Sequence, residues 1–118
     1  MTFQTLTPTQ DVTDGGGLNI TALLAAPTNV NLQFANTGRE RLYVVPSASA
    51  ETVVVDIGTL IEGQAVSNFT AVTMTSADVY QFGPFHSVLD QPGGDTIQVT
   101  LSTTTAVTVA LLQGVGVY

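Results

Sequence analysis

Ile97-Gln98-Val99-Thr100-Leu101 and, a few residues on, Val107-Thr108-Val109-Ala110-Leu111 decide the fold class. In the first, apolar side chains alternate with polar ones, and in the second with small ones. That is the two-residue period of a strand with one buried face. Further back, Val30, Leu32 and Phe34 alternate with Asn31 and Gln33 in the same way. Asn36-Thr37-Gly38 then reads as a turn, and residues 40–45 as a second strand, ended by Pro46 and the loop-forming Ser47-Ala48-Ser49. A third strand covers residues 52–57. Its consecutive Val53, Val54 and Val55 predict that both of its faces are covered.

The remaining segments carry weaker patterns. Residues 1–17 hold scattered apolar side chains and end in Gly15-Gly16-Gly17, which reads as an extended arm closed by a hinge or turn. Residues 18–26 form either a strand or a single helical turn, stopped by Pro27. Residues 58–68 form a longer ordered connection, whose Leu60, Ile61, Ala65 and Val66 are expected to pack down over the domain. Residues 69–74 and 79–82 read as strands joined through Ser76-Ala77-Asp78 as a hairpin turn. Gly83-Pro84 ends the second of them, residues 85–90 make a single turn, and Gln91-Pro92-Gly93-Gly94-Asp95 makes a sharp corner. Seven or eight short strands punctuated in this way describe one all-β domain, a single antiparallel β-sandwich or alternatively a small barrel, over residues 18–118.

Composition narrows the function. Of 118 residues only 9% are charged, against about 25% in an average soluble protein, so neutral polar side chains supply the wet surface. The net charge is −7, and with no lysine the only side-chain cations are Arg39 and Arg41. Nothing here neutralises a run of phosphates, so nucleic acid is not an expected partner. Acidity also argues against an anionic membrane surface, and no apolar run approaches the roughly 18 residues of a membrane span. Residues 1–10 have neither a basic start nor an apolar core, so no secretory signal is expected there. Without cysteine, stability must come from packing and strand pairing.

Catalysis needs convergent reactive groups, and the inventory is thin. His86 with Ser87 and Asp90 lies within one local turn and lacks the surroundings of a nucleophile elbow, so His86 reads as a structural histidine. Asp56, Glu62, Asp78, Asp90 and Asp95 include possible carboxylate pairs for glycoside cleavage, but most sit at strand ends or turns, where Asp bonds nearby backbone groups. Asp11 and Asp14 lack the spacing and closing Glu of a calcium loop, and no lysine follows the glycine run as a phosphate cradle would require. Asn19-Ile20-Thr21 and Asn68-Phe69-Thr70 match the glycosylation acceptor triplet, a pattern that arises by chance in Thr-rich chains. No enzyme, cofactor or metal is expected.

Interaction with other proteins is expected instead. Open sheets expose unpaired backbone along their edges, which soluble proteins commonly blunt with lysine. This chain has none, so its edges should be covered by its own arm or by other subunits. Candidate contacts are Phe3 and Leu6 on the arm, Arg39 and Arg41 as grips for a partner's carboxylates, and the small outward residues Ala106, Thr108 and Ala110 of the last strand. For the arginines, an ion pair within the chain is the simpler reading.

Phe34-Ala35-Asn36-Thr37-Gly38, the Leu42-Tyr43-Val44-Val45 strand, Gly83-Pro84-Phe85 and the final Thr/Val strands, in that order over residues 34–111, resemble small capsid decoration (cement) proteins of tailed bacteriophages. The chain departs from that pattern in having His86 where a second proline is frequent, and in its few basic residues. The resemblance implies a β-sandwich bound to the major capsid protein on the outer surface of the virion, as homotrimers near local threefold positions. The competing expectation is a carbohydrate- or cell-surface-binding module of a phage fibre or adhesin. Against it stand the absence of tryptophan and a tyrosine complement of only Tyr43, Tyr80 and Tyr118.

Overall fold

The computed structural model describes residues 2–10, 18–56, 60–61, 64–65, 71–86, 89–91 and 94–114. Its elements are β1 (Gln4–Thr5), β2 (Thr9–Gln10), α1 (Ile20–Leu23), β3 (Asn31–Ala35), β4 (Glu40–Pro46) and β5 (Glu51–Val55), then β6 (Leu60–Ile61), β7 (Gln64–Ala65), β8 (Val72–Met74), β9 (Tyr80–Phe82), β10 (Thr96–Leu101) and β11 (Val107–Gln113). One sheet has the order β1-β3-β10-β5-β8 and the other β2-β11-β4-β9, while β6 and β7 pair with each other as a separate ribbon. The two large sheets pack face to face as a β-sandwich. Their pairing is antiparallel throughout, except where β1 joins β3 and β2 joins β11 in parallel.

The alternation in the sequence is the alternation in space. Leu32, Phe34, Leu42, Val44, Val53, Ile97, Val99, Leu101, Val107, Val109 and Leu111 all point inward and are buried, and together they fill the space between the sheets. Phe85 enters the same core from the connection after β9 and meets Phe34 at 5.5 Å between ring centroids, in a tilted arrangement that suits two aromatic quadrupoles. Val54, between two buried valines of β5, is half-buried.

Four features differ from the sequence reading or complete it. Residues 75–79 do not close a hairpin: β8 belongs to the first sheet and β9 to the second. Turn residues mark where a chain reverses and carry no information about which sheet receives it. Here the corner places Met74 and Tyr80 on opposite walls of the core, and the Tyr80 hydroxyl accepts from the Thr75 amide at 2.8 Å. The segment before Pro27 takes the helical form of the two expected, and a single bridge follows it. Asn19 caps the helical turn α1 through its Oδ1, and Ala25 then bridges Val109 on the edge of β11.

The arm is the third. Its β1 and β2 pair with the body, one on each sheet, so the strand count exceeds the expected seven or eight by the arm's two short strands and the β6–β7 ribbon. Fourth, part of the 58–68 connection forms that ribbon. The packing of its apolar side chains, the hinge glycines, Asp11, Asp14, Glu62, Ser87 and the triplet at residues 68–70 lie outside the described residues.

Candidate functional site

The outward positions of the first sheet form the plainest candidate surface. Register places Thr5, Gln33 and Gln98 in one cross-strand row, Asn31, Thr100 and Val54 in a second, and Thr52 and Thr73 in a third, with Ala35 beside Thr96. None of these ten side chains is charged. Neighbours on the face are tied laterally: Gln33 Nε2 donates to Thr5 Oγ1 at 3.0 Å, and Thr100 Oγ1 to Asn31 Oδ1 at 3.4 Å. A partner can cover such a face without burying a lone charge, since part of its polar complement is already paired. Asp56 follows at the end of β5, where its amide donates to Gln98 O at 2.9 Å; burial pushes its carboxyl above the ordinary value.

The predicted contacts fall in different environments. Leu6 is committed to its own chain, half-buried against the core with its amide donating to Gln33 O at 2.8 Å, and Phe3 is half-buried. Ala110 is only 6% exposed. It lies beside Tyr43 in the sheet and lines a cleft of about 170 Å³ together with Leu6, Thr9, Leu23 and Ala25, so its own chain covers much of what the strand pattern left open. Ala106 and Thr108 are half-buried, Arg39 is exposed and Arg41 half-buried. Register places Arg41, Thr108 and Ala110 on the outward side of the second sheet, beside Leu112, Val45 and Tyr43, while Phe3 and Leu6 lie on the arm.

Glu40 lies on the opposite strand face from Arg39 and Arg41 and is a buried anchor at 1% exposure. Its carboxylate accepts from the Thr37 amide at 2.6 Å, the Thr37 hydroxyl at 2.7 Å and Gln113 Nε2 at 2.7 Å. Burial opposes its ionisation, but these hydrogen bonds prevail and hold its carboxyl below the ordinary value. The Thr-x-x-Glu spacing of residues 37–40, familiar from capping boxes, is the sequence signal that would have found it.

At this same end of the sandwich an open groove of about 640 Å³ is lined by Asn36, Gly38, Pro84, His86, Asp90 and Asp95, among others. His86 and two of the candidate carboxylates thus share one concavity. Asn36 organises it: its Nδ2 donates to Asp90 Oδ1 at 2.7 Å and to Phe85 O at 3.2 Å, while its amide donates to Asp95 O at 2.6 Å. Asp90 therefore has a structural task in pinning the loop. No cluster of three or more potential metal ligands occurs among the described residues.

Among the described elements the two sheets end in the arm strands β1 and β2 on one side and in β8 and β9 on the other. β8 and β9 are three residues long and β1 and β2 two, and short edges recruit stray strands poorly. Among the described residues the exposed large apolar side chains, Val72 at 38% and Val79 at 65%, lie on β8 and beside β9.

No family model, no curated protein and no solved structure matches the chain.

Proposed function

We propose that the chain is a head decoration protein of a tailed bacteriophage, which binds the major capsid protein on the outer surface of the virion as a homotrimer and stabilises the capsid lattice. The observation that carries the reading is the outer face of the first sheet, where ten strand positions carry no charge and Asp56, next to Gln98, is the acidic residue at the border, in a protein whose net charge is −7. The cores of protein interfaces are depleted of charge, and a sheet face made mostly of amides and hydroxyls, some of them tied to each other, meets that requirement over several strands. The acidity favours a position outside a shell filled with nucleic acid, where an anionic protein escapes repulsion by the genome. The order of landmarks over residues 34–111 adds the family resemblance.

The test is to mix the purified protein with undecorated capsid shells and count bound copies per particle. Saturation at a number matching the threefold positions of the lattice is expected, and absence of uptake refutes the reading. A carbohydrate-binding module would use the same amide and hydroxyl face, but that face presents no aromatic platform. Binding on a glycan array without uptake by shells would favour that alternative.

A further inference from the structure

The arm is laced into the outer face of the first sheet. Pairing of β1 with β3 sets Thr5 beside Gln33, and Thr5 Oγ1 accepts from Gln33 Nε2 at 3.0 Å. Thr2 Oγ1 accepts from Asn29 Nδ2 at 2.9 Å, Asn29 Oδ1 from the Asn31 amide at 2.9 Å, and Asn31 Oδ1 from Thr100 Oγ1 at 3.4 Å. A line of neutral hydrogen bonds thus runs from the arm across β3 to β10. Residues 2–10 carry no charged side chain, so the arm continues the uncharged character of the face it borders. Its remaining holds lie off that face: Gln4 Oε1 accepts from the Thr28 amide at 2.8 Å, the Leu6 amide donates to Gln33 O at 2.8 Å, the Leu6 side chain packs on the core, and Thr9 pairs beside Leu112. These are few contacts for the ordering of so long a segment, which sets the arm at the low end of local stability.

We infer that seating of the arm regulates this face: the partner engages it with residues 2–10 in place, and binding in turn holds them there. The inference rests on the docking face of the proposed function and names what controls it. With the arm seated, Thr5 completes the row of Gln33 and Gln98, and the side-chain amides of Gln33 and Asn29 are already held. With the arm released, the row loses its end, both amides regain their rotamers, and the β3 edge that β1 covered becomes backbone that a partner must desolvate. Each long side chain left to be ordered on binding weakens affinity roughly twofold to tenfold. The apparent affinity falls further in proportion to the fraction of chains whose arm is seated. The coupling is reciprocal, so an engaged partner protects the arm as much as the seated arm strengthens binding.

The test varies the arm's hold while the ten positions of the face stay wild type. Leu6→Ser removes the arm's packing on the core. Hydrogen exchange at the Leu6 amide, compared with the amides of β10, reports release of the arm within a folded body, and uptake by undecorated capsid shells reports binding. Leu6→Ser should speed exchange at residue 6, leave β10 protected and weaken uptake at least about fivefold. Should that variant not fold, Gln4→Ala, which gives up the Thr28 bond, takes its place. Because the chain has no cysteine, Thr2→Cys/Asn29→Cys adds a tie between two side chains that already meet. In the Leu6→Ser background, oxidation should restore both the arm's protection and most of the lost uptake, and reduction should undo both. A released arm with wild-type uptake, or a restored arm without restored uptake, overturns the inference and leaves the decoration reading standing on the uptake of the wild type. No uptake by the wild type overturns both.

Discussion

Gln113 Nε2, at the close of the last strand, donates to Oε2 of Glu40, its antiparallel neighbour at the opening of β4, across 2.7 Å. With the amide and hydroxyl of Thr37 on the same carboxylate, this bond ties the turn at residues 36–38 to β11. A buried carboxylate held by neutral donors is stable only while every donor stays in place, because a lost partner leaves the charge uncompensated.

Glu40→Gln turns an acceptor-only group into one that presents its own amide hydrogens to the donors around it. A loss of about 2 kcal/mol is expected at pH 7, the scale of hydrogen bonds to a charged group. The pH dependence has a definite sign. The carboxyl of Glu40 lies below its ordinary value of 4.5 in the folded chain, so the unfolded chain takes up its proton first. Its contribution is complete above the unfolded value and is lost as pH falls through the lower folded one. Urea unfolding between pH 7 and 3 should show the gap between wild type and variant narrowing on the acid side; a constant gap refutes the assignment.

Gly83 joins this anchor from the other side. Its φ is +100°, and a Cβ placed there would lie 2.6 Å from the carbonyl oxygen of Glu40 and 2.8 Å from Cε2 of Phe85. The backbone angle and the close approach both demand glycine. Gly83→Ala should cost at least about 2 kcal/mol, the range for forcing extra atoms into a packed site. A urea midpoint within error of wild type would show that the turn relaxes at little cost.

The two ends of the sandwich show what the chain did and did not reveal as a sequence. β3, β4 and β10 were legible because their residues alternate between the core and a wetter side, and burial writes that alternation directly into side-chain chemistry; β11 alternates in sequence but is buried on both sides from Val109 to Leu112. Sheet membership was not, since Ser76-Ala77-Asp78 encodes a reversal and the destination depends on which wall of the core needs Tyr80. The arm's strands are two residues long, too short to establish a period. Ala110 looked solvent-facing because what covers it, around Leu23 and Ala25, lies some eighty positions earlier in the chain. The anchoring role of Glu40 was not legible for a related reason: its partner Gln113 is remote in sequence, and only the local Thr37 spacing announced it.

At the opposite end, Ala77 holds φ +68° while its amide donates to Pro46 O at 2.9 Å, and Ala50 holds φ +71° with its amide on Met74 O at 3.0 Å. The left-handed region costs a residue bearing Cβ roughly 1 kcal/mol. Ala77→Gly relieves that cost but frees the unfolded chain, so a change within about 1 kcal/mol, in the stabilising direction, is expected. Ala77→Val, branched at Cβ, should lose about 2 kcal/mol. Thermal melts of the pair place the two on opposite sides of wild type if the corner is as tight as its hydrogen bonds indicate.

The proposed docking face makes a sharper demand, because it separates binding from folding. Gln33 lies in the row between Thr5 and Gln98, and its present bond runs from its own Nε2 to Thr5 Oγ1. In Gln33→Glu the Thr5 hydroxyl reverses direction and donates to the new carboxylate, so stability should stay within about 0.5 kcal/mol of wild type. Binding should not survive as well. A carboxylate carried into the centre of an interface loses its hydration without a matching cation, and uptake by capsid shells should fall at least tenfold, which is about 1.4 kcal/mol. Unchanged uptake by a folded variant would mean that this face stays in water and that the shell is met elsewhere, the β8 and β9 side with Val72 and Val79 being the next surface to probe.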